Sequence, residues 1–241
     1  SNTDGDITSS VSVNTTAGFS IVSYSGNGSA GATVGHGLSA TPSMFWIKRR
    51  DVADSWIVYA EAIGYSMSNP DPETDFLKLN STDARVDDNT KFNDTAPTSS
   101  VFSVGSDTSV NGSGSTFITY CFAEKKGYSK FGSYTGNGNA DGTFVYTGFK
   151  PAMVIVKRTS GADRWVISDN KRDPDNPVIG ELNPNDNTAE DTTSTPFDFL
   201  SNGFKLRRTG NVFNGSGETY IYMAFAESPF VTSTGIPTTA R

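Results

Sequence analysis

The chain contains two copies of one sequence pattern, and this internal repeat restricts the possible folds more than any other feature. Tyr24–Ala30 reads YSGNGSA and Tyr134–Ala140 reads YTGNGNA, with five identities in seven positions. Asn111–Glu124 reads NGSGSTFITYCFAE and Asn214–Glu227 reads NGSGETYIYMAFAE, with nine identities in fourteen. The repeat therefore predicts two modules of one kind that follow each other along the chain.

The repeat also divides the chain into four segments. We predict a polar N-terminal arm over residues 1–17, a first module over 18–124, a second module over 128–230 and a C-terminal tail over 231–241. Only Lys125, Lys126 and Gly127 separate the two modules, which is too short for an independent flexible tether.

The composition favours strands over helices. The chain has 17 Val and 11 Ile against 6 Leu, together with 16 Phe and 9 Tyr, and β-branched and aromatic residues fit the half-buried surface of a sheet. In each copy, short apolar runs alternate with turn residues such as Asn-Gly, which is typical of an antiparallel sandwich. We predict an all-β protein of two tandem antiparallel β-sandwich modules with almost no helix.

Individual strands can be placed from the same pattern. In the first copy we predict strands at Phe19–Ser25, Thr33–Gly37, Ser43–Arg49, Trp56–Tyr59, Phe76–Asn80, Val101–Gly105 and Thr116–Glu124. In the second copy they are Lys130–Thr135, Phe144–Gly148, Ala152–Arg158, Trp165–Asp169, Phe204–Arg208 and Thr219–Glu227. Ser43–Arg49 and Ala152–Arg158 are apolar at consecutive positions, which predicts central strands of a sheet.

The charge balance excludes several partners. With 19 basic and 26 acidic side chains the net charge is −7 and the pI is about 4.7, so no basic surface for nucleic acid or anionic lipid is expected. The sequence contains no apolar run long enough to predict membrane insertion. Cys121 is the single cysteine, which excludes an internal disulfide and agrees with folding in a reducing cytoplasm.

Catalysis is not expected from the sequence. His36 is the only histidine, and the aligned residue of the second copy is Thr147, so we interpret His36 as a structural residue at a bend. Carboxylates are abundant, but nearly all of them fall in loops with Pro and Asn, whereas a glycosidase pair must be held on rigid elements. No nucleophile elbow, zinc-binding helix or phosphate-binding loop is present.

Two groups of residues are candidates for ligand binding. Trp56 and Trp165 occupy equivalent positions and would stack on sugar rings if exposed, although a tryptophan at a strand start is more often part of a core. The second group lies in the polar stretch from Asp169 to Pro177, where Arg172, Asp173 and Asp175 could bind a ligand. Asp169, Asp173 and Asp175 could also hold a structural calcium ion, and the alternative for this stretch is a solvated loop.

The order of these motifs resembles a known family. The joint CFAEKKGYSKFGSYTGNG, the paired strands MFWIKR and MVIVKR, and the closing Ala240-Arg241 are similar to a duplicated module found near the C-terminus of structural proteins of tailed DNA phages, many of them marine. These proteins are described as tail-fibre-like or concanavalin-like, so the resemblance implies β-sandwich modules of the jelly-roll or concanavalin-like type. The resemblance covers residues 7–241.

The resemblance implies a virion component that folds in the host cytoplasm and acts on the virion surface. Its expected partners are other virion proteins, further copies of itself in a homo-oligomer, most simply a trimer, and a glycan or receptor on the host surface. It implies no cofactor and no catalytic residues. Two alternatives remain open: a capsid decoration or head-fibre protein without a receptor role, and a carbohydrate-binding module of a bacterial surface protein.

Overall fold

The structure is a computed structural model that describes residues 1–66 and 71–229. The predicted tail 231–241 lies outside these residues, as does Phe230. The protein is nearly all β, with 41% of the chain in strands and 4% in helix, which confirms the all-β class. Within the described residues no helix combines the length and the hydropathy needed to cross a bilayer.

The chain divides into two compact units. The first comprises Ser1–Asn80 and Arg85–Glu124, and the second comprises Ser81–Ala84 and the chain from Lys125 onward. The strands of the first unit are β1 (Ser9–Asn14), β2 (Phe19–Ser25), β3 (Ala32–Gly35), β4 (Met44–Arg49), β5 (Trp56–Ala60), β6 (Asp75–Lys78), β7 (Val86–Asp87), β8 (Val101–Val104) and β9 (Thr116–Phe122). A 3-10 helix (Glu61–Ser66) and a one-turn helix, α1 (Thr108–Asn111), complete this unit.

The second unit repeats much of this arrangement. Its strands are β10 (Ser129–Thr135), β11 (Phe144–Tyr146), β12 (Pro151–Arg158), β13 (Trp165–Asp169), β14 (Phe197–Leu200), β15 (Gly203–Leu206) and β16 (Thr219–Ala226). The first unit has a seven-stranded sheet, β1-β2-β9-β4-β5-β6-β7, and a pair, β3-β8. The second has a four-stranded sheet, β10-β16-β12-β13, and a three-stranded sheet, β11-β15-β14. All strand pairs are antiparallel.

Every strand that the sequence predicts is present, with ends that differ by at most two residues. β4 and β12 are central, since each has a hydrogen-bonded neighbour on both sides. The strands β1, β7 and β14, the helix α1 and the 3-10 helix are not predicted from the sequence. β1 lies within the predicted polar arm, and its residues SSVSVN are mostly exposed, so it gains little from apolar burial and is held by pairing along the whole of β2.

An aromatic core fills each unit between its sheets. In the first unit, Phe45 of β4 stacks on Tyr59 of β5 at 4.6 Å and meets Phe102 of β8 at 5.0 Å. In the second, Phe204 of β15 meets Tyr222 of β16 at 5.3 Å and Phe197 of β14 at 5.6 Å. The residues that flank Tyr59 and Tyr222 along their strands are buried as well, so β5 and β16 are covered on both faces at these positions.

The repeated motifs form one hydrogen-bonded network in each unit. In the first unit the Tyr24 hydroxyl donates to the Val110 carbonyl at 2.7 Å, and Asn111, which is fully buried, accepts from the Asn27 amide at 2.9 Å. In the second, Tyr134 donates to the Phe213 carbonyl at 2.7 Å, and the buried Asn214 has the corresponding role.

The Asn-Gly pairs do not all have left-handed backbone at the glycine. Gly28 and Gly138 have φ of 74° and 66°, so Asn27-Gly28 and Asn137-Gly138 do form turns with left-handed backbone. At Asn111-Gly112 a turn also forms, since the Ser115 amide donates to the Gly112 carbonyl at 3.0 Å, but φ of Gly112 is −51° and the backbone there is not left-handed. There the asparagine side chain, rather than backbone freedom at the glycine, explains the motif.

We expect Cys121 to be unreactive in the folded protein. Its side chain is fully buried in β9, and burial raises the pKa of its thiol to about 12. At pH 8 the thiolate would be about one part in ten thousand of the thiol. A thiol reagent such as DTNB should leave the native protein unlabelled and modify one thiol per chain in denaturant. Rapid labelling of the native protein would contradict this placement.

Candidate ligand-binding site

The two predicted tryptophans begin equivalent strands but differ in exposure. Trp165 of β13 is only 2% exposed, so its ring offers no free face to a ligand. Trp56 of β5 is half-buried, and its ring stacks on Tyr120 at 6.0 Å. Their backbone amides have equivalent partners: Trp56 donates to Asn80 at 2.9 Å and Trp165 to Asn185 at 2.8 Å.

Arg172 holds together the polar stretch that follows β13. Its Nε donates to Asp169 Oδ2 at 2.7 Å, its Nη1 pairs with Glu190, and its Nη2 donates to the Ile167 carbonyl at 3.0 Å. A guanidinium with three internal partners has few donors left for a ligand. The structure therefore brings Arg172 and Asp169 together as an ion pair within the stretch.

The carboxylates of the same stretch have different surroundings. Asp173 Oδ2 accepts from the amides of Ile179 and Gly180, whereas Asp175 is exposed. No three Asp, Glu, His or Cys side chains converge as a metal site in the part of the chain that the structure describes. Asp169, Asp173 and Asp175 are thus not brought together, and calcium binding here stays a prediction.

The long connection between β13 and β14 is tied to the second unit by a buried carboxylate that the sequence analysis did not single out. The Glu181 side chain is completely buried and pairs with Arg164 at 3.0 Å and with Arg208 at 3.3 Å. Its backbone pairs with that of Asp191. Two partly exposed arginines thus pair with one buried carboxylate. These ion pairs attach the connection to the residues beside β13 and β15.

His36 is bound to backbone on both sides of its ring. Nε2 lies 3.2 Å from the Thr98 carbonyl, and the Leu38 amide donates to Nδ1 at 3.2 Å. These contacts require a neutral ring that donates through Nε2, and burial lowers the pKa of His36, which favours the same form. This geometry agrees with a structural role at the bend after β3.

Asp75 is the acidic side chain that most resembles a catalytic acid. Burial raises its pKa, and the register places it opposite Asp87 across β6 and β7. However, its side chain is only 2% exposed, and Oδ1 is held by Arg85 Nη1 at 2.6 Å. The carboxyl group of Asp75 is therefore held by Arg85 and has little contact with solvent.

Two exposed aromatic residues lie on the same face of β11 in the second unit. Phe144 is 43% and Tyr146 is 64% exposed, while Val145 between them is buried in the core. Both side chains therefore point outward from the three-stranded sheet, two residues apart on an edge strand. A Cβ at Gly203 would lie 3.0 Å from Phe144 Cζ, so the ring of Phe144 rests on backbone at this glycine.

Charged side chains continue this surface across the sheet. Lys205 of β15 lies directly opposite Phe144, and Asp198 of β14 lies opposite Lys205. Lys205 Nζ pairs with Asp141 Oδ1 at 2.5 Å, which lowers the pKa of Asp141, and Arg207 Nε pairs with Asp198 at 3.2 Å. We call Phe144, Tyr146, Lys205, Asp141, Asp198 and Arg207 the aromatic platform.

The described residues of the first unit, 1–66, 71–80 and 85–124, contain no counterpart of the aromatic platform. The residues aligned with Phe144 and Tyr146 are Thr33 and Gly35 of β3. Residues of the arm cover them: Asp6 accepts from the Thr33 hydroxyl at 2.8 Å, and the Asn2 side chain occupies the space beside Gly35. The platform is thus a difference between two otherwise similar copies.

The sequence contains a signal for the platform. In the run Phe144-Val145-Tyr146, two aromatic residues flank one aliphatic residue, where the first copy has Thr33-Val34-Gly35. Because Val34 and Val145 align and face the core, the flanking positions must face outward. Large apolar residues at those positions in one copy alone indicate an exposed surface.

The fold and this surface define a nearly all-β protein with an exposed aromatic surface on one of its two units. The chain belongs to the family described as a domain of unknown function, DUF7483, whose model matches residues 1–229. Searches of curated proteins and of solved structures found no match to the chain.

Proposed function

We propose that this protein is a non-catalytic binding domain that holds a saccharide on the aromatic platform of its second unit. The observation that carries the proposal is the pair of exposed rings of Phe144 and Tyr146 on one face of β11. An exposed aromatic ring has an electron-rich face, and the C–H groups of a sugar ring pack on such a face.

The surroundings of the rings favour a polyhydroxylated ligand over an apolar one. Lys205, Asp141, Arg207 and Asp198 place both donors and acceptors beside the rings. Binding surfaces of this kind combine a few aromatic contacts with charge-assisted hydrogen bonds that fix orientation. Sugar hydroxyls can both donate and accept, so they match this mixture of charges.

The absence of catalysis is part of the proposal. It is supported by the backbone contacts of His36 and by the burial of Asp75. Incubation with bacterial capsule or lipopolysaccharide should leave the chain length of the polysaccharide unchanged. Shortened chains, lost on mutation of a close pair of carboxylates, would contradict a purely binding role and favour a depolymerase.

We further propose that the domain is a fibre-type component exposed on the virion of a tailed phage, with other virion proteins and further copies of itself, most simply in a trimer, as partners. The support is the resemblance of the two copies to phage structural proteins. Image reconstruction of purified particles would test it by locating the polypeptide. A position inside the capsid or in the tail tube would contradict host attachment, and a position on the capsid surface would favour the decoration alternative.

At the level of fold, we propose that each unit is an antiparallel β-sandwich of the concanavalin-like type. The equivalent strand orders, β2-β9-β4-β5 and β10-β16-β12-β13, support this proposal, as do the equivalent buried networks of Asn111 and Asn214. An experimental structure in which the two units failed to superpose would contradict it.

Removal of the two aromatic rings should weaken saccharide binding without loss of stability. For Phe144→Ala with Tyr146→Ala we expect affinity for a bound oligosaccharide to fall by about tenfold or more, because stacked rings contribute a large share of contact area. A glycan array would identify the oligosaccharide, and calorimetric titration would measure the change. Leu182→Ala is the matched control, since Leu182 is 40% exposed elsewhere in the same unit. Equal binding by both variants would remove the platform from the site.

A further inference from the structure

A groove of about 380 Å³ lies at the end of the seven-stranded sheet in the first unit. Its lining includes Thr8, Ser10, Ser23, Ser25, Thr116 and Arg50. The register places Ser10 opposite Ser23 and Ser25 opposite Thr116, so hydroxyl groups from β1, β2 and β9 line one continuous surface. Arg50 follows β4 and is anchored beside them, because its amide donates to the Thr116 carbonyl at 2.8 Å.

Two lining residues, Ser9 and Tyr24, donate their hydroxyls to backbone carbonyls of the first unit, but most of the other polar groups of the groove have no such structural role. Among the described residues, the hydroxyls of Ser10, Ser23, Ser25 and Thr116 have no hydrogen-bond partner, and the guanidinium of Arg50 has no ion-pair partner. The neighbouring residue is different. Arg49 pairs with Asp51 at 2.9 Å, and this hydrogen bond lowers the pKa of Asp51 to about 2.

The same corner of the second unit is closed by its own side chains. The residues aligned with Arg50 and Thr116 are Thr159 and Thr219. Their hydroxyls share a hydrogen bond of 2.7 Å, and Thr159 also donates to the Thr219 carbonyl at 3.1 Å. The fold therefore does not require a cation or free hydroxyls at this position. In the described residues of the first unit, the Arg50 guanidinium and these hydroxyls stay unpaired, and β1 forms an additional side of the groove.

We propose that this groove binds an acidic sugar residue, with the carboxylate or sulfate of the sugar on Arg50 and its ring hydroxyls on the Ser and Thr side chains. A guanidinium binds such oxyanions through two parallel N–H donors. Serine and threonine hydroxyls can donate and accept, as the hydroxyls of a sugar require. The volume lies within the range of small-ligand sites. This inference rests on the proposed saccharide-binding function and names the class of sugar.

The test uses the full chain and its variant Arg50→Gln. Lys126→Gln is the matched control, because it also removes one exposed positive charge. Calorimetric titration with three probes separates the possibilities: oligogalacturonate carries carboxylates, a sulfated dextran oligosaccharide carries sulfates, and unmodified dextran carries neither. We expect the original chain to bind at least one acidic probe, Arg50→Gln to weaken that binding by about tenfold, and Lys126→Gln to leave it within about twofold. Arg50 has no internal partner, so Arg50→Gln should keep the native melting temperature.

Several outcomes would overturn the groove proposal. The first is that neither acidic probe binds at millimolar concentration. The second is that unmodified dextran binds as tightly as the acidic probes. The third is that Arg50→Gln and Lys126→Gln lose the same affinity for the acidic probe, which would indicate non-specific charge attraction. Amide chemical shifts should move at Ser10, Ser23 and Thr116 when the acidic probe is added. If Phe144→Ala with Tyr146→Ala abolishes binding of the acidic probe and Arg50→Gln binds that probe normally, the groove proposal fails while the aromatic platform stands. If the reverse is seen, the platform fails.

Discussion

Replacement of Asn214 by alanine is expected to lower the free energy of unfolding of the second unit by about 4 kcal/mol. Asn214 is fully buried. Its Oδ1 accepts from the Asn137 amide at 2.9 Å, and its Nδ2 donates to the Asn139 carbonyl at 2.8 Å and the Arg208 carbonyl at 2.9 Å. Alanine leaves these groups without partners in a place that water reaches poorly.

Asn139→Ala is the matched control for this prediction. Asn139 belongs to the same turn and its side chain accepts from the Asp141 amide at 3.0 Å, but it is exposed, so water can replace its contacts and the cost should stay below about 1 kcal/mol. Urea denaturation gives both values, and hydrogen exchange should accelerate around residues 137–141 and 208–216 in Asn214→Ala alone. Similar costs for the two variants would show that the buried network is not the cause.

Gly136→Ala is expected to destabilise the second unit by about 3 kcal/mol, at the upper end of the effects of overpacking. A Cβ at this position would lie 2.3 Å from the Gly215 carbonyl oxygen and 2.7 Å from the Asn214 carbonyl carbon. Both atoms are backbone, so the turn must move. Movement would also strain the hydrogen bonds that Gly136 makes with Glu218 and Gly217, each 2.9 Å long.

A second glycine separates this steric effect from the general effect of a Gly→Ala change. Gly210 has open space where its Cβ would be and no left-handed backbone, so Gly210→Ala should be neutral or slightly stabilising. Thermal unfolding of the two variants would measure the difference. A melting temperature of Gly136→Ala equal to that of Gly210→Ala would refute the close approach of the two turns.

These two predictions concern the same repeated sequence motif. Gly26 of the first copy stands in the position of Gly136, and a Cβ there would lie 2.4 Å from the Gly112 carbonyl oxygen. The Tyr-x-Gly-Asn-Gly stretch and the distant Asn-Gly-Ser-Gly stretch of each copy therefore fit together as two halves of one structure. This contact explains why both stretches recur in the two copies while the loops between them differ.

Much of the fold followed from sequence pattern. The runs around Phe19–Ser25 and Trp165–Asp169 were predicted to the residue, because apolar residues bounded by turn residues determine strand ends locally. Ser9–Asn14 was missed because its residues are mostly polar and it forms a strand only by pairing with β2. The buried role of Asn111 and Asn214 was also missed, since Asn-Gly by itself indicates a turn.

The candidate sites could be predicted to a smaller extent. Trp165 was a candidate and is buried, whereas Tyr146 was not and is 64% exposed. The run of Asp and Arg residues after β13 was proposed as a ligand loop, yet Arg172 and Asp173 are engaged within it. Sequence reports which residue types are present, but it does not report which of their polar groups already have partners.

The sequence by itself determined the class of fold, the duplication and the inward or outward direction of residues along each strand, because these depend on periodicity within a few residues. Only the tertiary structure decided which outward residues stay accessible. At the aligned positions of β3 and β11, the arm covers Thr33 and Gly35, whereas Phe144 and Tyr146 remain exposed. The physical reason is that exposure depends on which distant segments of the chain pack against a surface, and local pattern carries no information about such contacts.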